Sequence, residues 1–409
     1  MKVWIKYLLG IVLGIVSAFI LPLNNAVVMD VLSFLSELVM KFGKYIVVPL
    51  VFSTTIISIN KLRTSKMTLK TFSWTFIVII LSSVILALIG LFSVLIVKLP
   101  RIPITVDSVA PVSGINIKGL ILSLFPNSAF EAVAEGSFLL VSILFGVLIG
   151  WESASEQTAF RPIFTFFESA SKLFYNIASF FTEILSVCMV ALACNWFITF
   201  RTIISTGIYT PMILMFLCDF IIVIGVIYPL IIRYVCHDPN PYRVLYASLA
   251  PMLLGFISGD ANLVLPLSIR HGKESLGIRR RCSGITYPFF SIFARGGTSL
   301  VVIISFILIW RSYSSLNIPF SDIIWILLIS FGYSFILGGI PAGGSFVLLT
   351  IICSSYGKGF ETSFLLLQPA SLIICSFATV FDIATAMFGS YIVAVKTKNI
   401  EHHKIQHFI

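Results

Sequence analysis

Three charged side chains stand where charge is hard to keep. Arg295 interrupts FSIFARGGTSL, Asp382 interrupts FATVFDIATAM and Asp260 interrupts GFISGDANLVL. The chain around them is 58% hydrophobic and 11% charged, against about 45–50% apolar and about 25% charged in soluble domains. Buried among such segments, an uncompensated charge costs several kcal/mol, so it faces a partner or a water-filled cavity. The three are therefore expected to face one cavity and partly neutralise one another. Asp382 then has two chemical uses, holding a substrate amine or carrying a proton. Asp219 is a weaker proton-path candidate, and Glu183 reads as a contact near an interface or between subunits.

A second chemical feature is a break in the backbone. Residues 338–345 read GGIPAGGS, with IIWILLISFGYSFIL before and FVLLTIIC after. In a helix interior Gly costs about 1 kcal/mol and Pro about 3 kcal/mol relative to Ala. Inside a membrane, non-helical backbone is tolerated only where protein buries it or a water-filled cavity receives it. Glycines let backbone approach a ligand closely, and half-helix ends offer N–H groups to anions and C=O groups to cations. SGDANLVLP (258–266) is a second break of the same kind.

Enzyme chemistry is not expected. The spans hold no HExxH motif and no nucleophile–base set. His237, His271, His402, His403 and His407 all fall in expected cytoplasmic loops or the tail, where solvated side chains are the plain reading. The 7 cysteines are scattered through apolar runs without a CxxC. They read as small apolar filler, not metal ligands. No cofactor is expected.

The elements that must position these groups are membrane helices, because the apolar runs are long and continuous rather than alternating. Apolar spans lie near 4–22, 33–59, 72–97, 137–151, 172–199, 203–232, 244–269, 284–310, 323–356 and 364–395. Residues 99–136 are less apolar and are expected to hold a short helix around 117–125. The first apolar stretch reads as a transmembrane helix rather than a signal peptide. Basic residues cluster at Lys2 and Lys6, at Lys61 to Lys70, at Arg270 to Arg281 and at Lys396 to Lys404. These are placed in the cytoplasm, with both termini. The net charge of +10 reflects those loops and does not imply nucleic acid.

That placement constrains the fold. The loop 233–243 and the cluster 270–281 share one face, so the segment between them enters and leaves by the same side. Each of its halves is shorter than the roughly 20 helical residues a span needs. The segment 323–356, cut by GGIPAGGS, must likewise return to the outer face. Two broken hairpins entering from opposite faces, each followed by a full span, form the pattern of an inverted repeat with a midplane binding site.

The sequence resembles the dicarboxylate/amino acid:cation symporters, which include the glutamate-transporter homologues. GGIPAGGS resembles that family's second hairpin tip, LPLSIRHGKESLGI (265–278) the end of its first hairpin and YPFFSIFARGGTSL (287–300) its seventh helix. FDIATAMFGSYIVAVKTKN (381–399) resembles the last helix, and LFPNSAFEAVAEGSFLLVSILFGVLIG (124–150) the region of the fourth span. The resemblance implies an all-α polytopic membrane protein of eight transmembrane helices and two re-entrant helical hairpins, with an inverted-repeat, elevator-type fold. It implies a homotrimer, a scaffold of approximately 1–65 and 110–200, and a transport domain of approximately 70–100 and 203–399. Hairpin 1 would cover approximately 244–276 and hairpin 2 approximately 323–357, the latter gating the outer side.

The resemblance also implies a site. Substrate-binding positions are Asp260, Ala261, Asn262, Arg295, Thr298, Gly339, Ile340, Pro341, Gly343, Gly344, Thr379 and Asp382. Cation-coupling candidates are Ser291, Ile292, Ala294, Ser334, Phe335 and Asp382. The departures fall on these same positions. The last-helix Arg that takes a substrate side-chain carboxylate is matched by Ala378, and the Asp for the substrate amine by Cys375. The family's substrate-backbone Asn is matched by Asp382 and its sodium-binding Asp by Ala386. The Asn-Met-Asp-Gly-Thr motif of the seventh helix reads Ala294-Arg295-Gly296-Gly297-Thr298. Three readings of Arg295 stay open: a tethered charge replacing a bound cation, a bidentate ligand for a substrate carboxylate, or a structural partner of Asp382. The expected activity is transport of a small carboxylate-bearing solute, an amino acid or a dicarboxylate, across the cytoplasmic (inner) membrane. Na⁺ or H⁺ would drive it. An uncoupled exchanger or channel on the same scaffold is the alternative.

Overall fold

The computed structural model describes residues 2–22, 26–103, 139–314, 318–336, 344–401 and 408–409. Among the described residues regular structure is helical, and the sole β feature is an isolated bridge between Ile278 and Ile400. Among the described residues seven helical stretches are long and apolar enough to cross a membrane.

α1 (Val3–Ile20) lays a buried stripe of Gly10, Gly14 and Ala18 against α6 (Arg161–Ser205). Small residues let two helix backbones approach where lipid supplies no hydrophobic drive. The expected span 33–59 is two helices, α2 (Ala26–Lys44) and α3 (Val47–Thr64), parted at Tyr45 and Ile46. Pro49 explains the break, since it has no N–H to donate to the Tyr45 carbonyl. α4 (Thr68–Ile96) and α5 (Leu139–Glu152) follow. At 45 residues, α6 is about 68 Å long and overruns the expected span 172–199 at both ends. α7 (Thr210–Val235) contains a π-helical stretch at Ile221–Ile227, beside Pro229, whose missing N–H would have served Gly225. The helix expected around 117–125 lies outside the described residues.

Among the described residues each interrupted segment holds two short helices. α8 (Tyr242–Ser258) is followed by α9 (Ala261–Glu274), and α12 (Phe320–Ile336) is followed by α13 (Gly344–Tyr356). Each has 13 to 17 residues, or roughly 20–26 Å, short of the roughly 30 Å hydrocarbon core. The partners of each pair pack on one another. α8 ends because Gly259 turns left-handed at φ +63°, a conformation that glycine adopts at little cost. α9 starts because the Asp260 carboxylate accepts from the Asn262 N–H at 2.9 Å, a side-chain N-cap.

The expected span 284–310 is also divided, into α10 (Arg280–Phe293) and α11 (Gly296–Tyr313). α11 is buried on every side from Gly296 to Trp310. α14 (Ser371–Lys396) is nearly as enclosed and packs against α8, α10 and α11. A helix that is apolar all round belongs in the core. α1, α2, α4, α6 and α7 instead expose large apolar side chains such as Leu13, Phe34, Leu81, Phe180 and Ile221, the surface a bilayer would cover. Loop 236–241 is tied down where Arg243 Nη2 donates to the Tyr391 hydroxyl at 2.8 Å and that hydroxyl donates to Asp238. In the same loop, burial pushes the Cys236 thiol up to about 11, so it stays protonated and unreactive.

Candidate functional site

The site is built around the gap between α10 and α11. The Arg295 N–H donates to the Phe293 carbonyl at 3.0 Å instead of to Ser291, the acceptor a continuous helix would have used. α11 then opens with Gly296 and Gly297, and its first N–H groups need an acceptor. Asp382 of α14 supplies it. Its Oδ1 accepts from the Gly297 N–H at 2.8 Å and the Thr298 N–H at 3.2 Å, and its Oδ2 accepts from Thr298 Oγ1 at 2.7 Å. Arg295 Nη1 stands 3.6 Å from Oδ2. Both charges are enclosed, with side chains 12% and 4% exposed. A Cβ on Gly297 would lie 2.2 Å from Phe381 Cβ and 2.8 Å from Asp382 Oδ1, so only glycine lets α11 come this close to α14.

Asp260 is the correction. The expectation that it shares neutralisation with Arg295 fails, because its ion-pair partner is Lys44 at the end of α2. The Asp260 side chain is 1% exposed and that of Lys44 is 34% exposed, so the pair closes the α8–α9 turn from outside. Ala261 is buried at the start of α9. Asn262 reaches the other way, where its Oδ1 accepts from Ser291 Oγ at 3.3 Å. This joins the α9 start to the last turn of α10. Ser291, Ile292 and Ala294 are all buried there.

The start of α13 also lies beside α14. Gly344 and Ser345 begin α13, and Ser345 Oγ lies 3.3 Å from Cys375 Sγ on α14. A Cβ on Gly259 would lie 3.8 Å from the Cys375 Cβ. Cys375 therefore sits between the ends of α8 and α13. Thr379 and Ala378 are buried on the following turn of α14. Ser334 and Phe335 form the last described turn of α12, with Ser334 buried and its hydroxyl turned back to the Phe331 carbonyl. Gly339, Ile340, Pro341 and Gly343 lie outside the described residues.

Electrostatically, the N-terminal ends of α9 and α11 and the C-terminal end of α10 meet around one short length of α14. The first two favour an anion and the third a cation. Asp382 and Asp260 already occupy the two N-terminal ends. Among the described residues no cluster of three or more His, Cys, Asp or Glu forms a metal site.

Some residues at the site were not picked out by sequence reasoning. Lys44 is a lysine ending an apolar helix, which reads as an ordinary flank. Ser345 follows the glycines of the tip and was passed over for them. Glu183, read from sequence as a contact near an interface or between subunits, pairs within the chain with Lys6 and with Arg270 Nη1 at 2.8 Å. His271 corrects the solvated reading, for it is 2% exposed inside α9.

The sodium:dicarboxylate symporter family profile matches residues 3–396. The chain belongs to the sodium:dicarboxylate symporter family. Its curated relatives include neutral amino acid transporter B(0) of Mus musculus, 27% identical over 172 residues. That stretch is 41% of this chain and 31% of the relative. Neutral amino acid transporter A of Homo sapiens is 23% identical over 222 residues, 53% of this chain and 41% of the relative. The matched stretches thus span less than half the length of these relatives. By their printed descriptions the family is one of symporters and these relatives are amino acid transporters.

Proposed function

We propose that this symporter-family protein carries a small carboxylate-bearing solute, a neutral amino acid in the first instance, by an elevator motion coupled to Na⁺ or H⁺. The observation that carries the reading is the convergence of three helix ends and the α13 start on Cys375, Thr379 and Asp382. A substrate seated beside Cys375 would meet Asn262, Ser345 and Thr379. It would find no cationic side chain at Ala378 to bind a second carboxylate. This favours a neutral side chain, in line with the printed names of the relatives.

The transport domain is taken as approximately 70–100 and 203–399, the scaffold as approximately 1–65 and 110–200. In this reading α8–α9 and α12–α13 are re-entrant hairpins, the α13 side gates, and three subunits assemble through the scaffold. The basic ends lie in the cytoplasm. Arg295 is read as the tethered cation. It stands beside Asp382, whose carboxylate is already engaged by three donors of α11. Na⁺, if it couples, would use the backbone carbonyls of Ser291, Ile292, Ser334 and Phe335 as hard oxygen ligands.

Uptake into proteoliposomes of purified protein tests this. A radiolabelled panel of neutral amino acids and dicarboxylates is offered with an inward Na⁺ gradient, an inward H⁺ gradient, or neither. Concentrative neutral amino acid uptake under one of the gradients is the expected result. Gradient-independent exchange would replace the symporter reading with an uncoupled exchanger, and absence of all uptake would overturn both.

A further inference from the structure

One cavity among the described residues lies apart from the candidate site around Asp382. It has a volume of about 650 Å³ and opens between the end of α3, the turn joining α5 to α6, and the start of α10. Lys61, Arg161 and Arg281 line it together with Asn60, Ser153 and Phe164, and among the described residues no carboxylate does. Lys61 is balanced by Glu168 at 2.8 Å. Arg161 and Arg281 have no ion-pair partner among the described residues. The Arg281 Nε donates to the neutral amide oxygen of Asn399, which steadies the guanidinium without cancelling its charge.

Backbone electrostatics add to this. Arg161 opens α6 and Arg281 is the second residue of α10. Neither helix has a side-chain cap, and neither has an acidic residue in its first turn. Two positive helix ends therefore face a cavity already lined with cations, the arrangement that receives phosphate groups. Asn60 and Ser153 hydrogen-bond one another at 3.1 Å on the cavity wall, leaving further polar capacity for a hydroxyl-bearing ligand. Close in sequence to the lining residues Ser153, Arg161 and Phe164, Trp151, Ile163 and Phe166 are exposed to the extent of 44%, 44% and 66%. Exposed apolar side chains thus flank the cationic lining along the chain.

We propose that this cavity is a binding site for a phosphate-bearing anion of headgroup size, held by Arg161 and Arg281 at the joint between α3, α6 and α10. Two sources share that chemistry. One is an anionic phospholipid whose acyl chains lie along Ile163 and Phe166. The other is a soluble phosphate compound from the aqueous side. Basic pockets between membrane helices take anionic headgroups in the first way.

The test is thermal unfolding of the purified full-length protein in uncharged detergent. The probes are dihexanoyl phosphatidylglycerol, dihexanoyl phosphatidylcholine and inorganic phosphate, each titrated separately. Phosphatidylglycerol is expected to raise Tm in a saturable way and phosphatidylcholine to leave it unchanged. The Arg161→Gln/Arg281→Gln variant should weaken the apparent affinity at least about tenfold, because bidentate charge-assisted bonds are lost. The Arg161→Lys/Arg281→Lys variant should keep a saturable response, which separates lost charge from lost folding. If inorganic phosphate gives the same saturation and competes with the lipid, the site stands and its ligand is soluble. No Tm response to either phosphate probe, or a response that the Gln variant leaves unchanged, would overturn the site.

Discussion

At the scale of single residues, Asp382 decides most. Its carboxylate caps α11 through the Gly297 and Thr298 N–H groups and faces Arg295. Asp382→Asn removes the carboxylate that Arg295 faces and weakens the cap. Breaking a buried charge pair on one side costs about 3–5 kcal/mol, so Tm should fall sharply. Arg295→Met/Asp382→Asn should recover part of that loss, because the guanidinium that faced the lost carboxylate goes too. If the double variant is no more stable than Asp382→Asn, the two charges are not energetically coupled. Gly297→Ala is a second residue-level test. Its Cβ would press on Phe381 Cβ at 2.2 Å, and overpacking costs roughly 1–3 kcal/mol. A variant with unchanged Tm would mean that α11 can slide off α14 freely.

Between elements, α9 and α6 meet through a polar seam. Arg270 pairs with Glu183 and Glu274 and donates to Thr182 Oγ1 at 2.8 Å and to the Ser179 carbonyl at 3.3 Å, while Tyr175 donates to Glu274 at 2.5 Å. The Arg270 side chain is only 14% exposed. Arg270→Ala leaves Glu183 paired with Lys6 alone among the described residues and empties this seam, and should lower stability by about 2–4 kcal/mol in denaturant unfolding in detergent. Exposed Lys41→Ala, which removes only the solvent-facing pair with Glu37, should change stability by less than about 1 kcal/mol. Equal losses from the two would show that the α6–α9 seam carries no special weight. The seam also tells what sequence reading could reach. Arg270 and Glu183 lie 87 positions apart, so no local spacing joins them.

For the whole molecule, the elevator reading makes a mechanical demand. α2 belongs to the expected scaffold and α9 to the expected transport domain, and here they touch. A Cβ on Gly43 would lie 2.2 Å from Leu263 Cδ1, and Lys44 holds Asp260 beside it. Gly43→Cys/Leu263→Cys, made with the 7 native cysteines replaced, should cross-link under mild oxidation. Solute uptake should stop on oxidation and return on reduction. Full uptake by the cross-linked protein would rule out sliding of α9 past α2.

The sequence by itself determined the class of the fold and the places where helices must break. Long apolar runs demand internally paired backbone, and GGIPAGGS and SGDANLVLP cannot continue a helix cheaply, whereas the break at Ala294 and Arg295 fell inside a span expected to be continuous. Pro49 and Pro229 marked two further irregularities that periodicity alone passed over. Tertiary structure decided who partners whom. Arg295 and Asp382 were legible as charges needing compensation, but not that Asp382 also caps α11. Asp260 was legible in the same way, yet its counter-charge comes from Lys44, 216 positions earlier. His271 shows the same limit, since a loop-like sequence context hid a buried helical position. Local composition states which groups are too costly to leave alone in a membrane. Only the packing of helices distant in the chain supplies the particular group that satisfies each one.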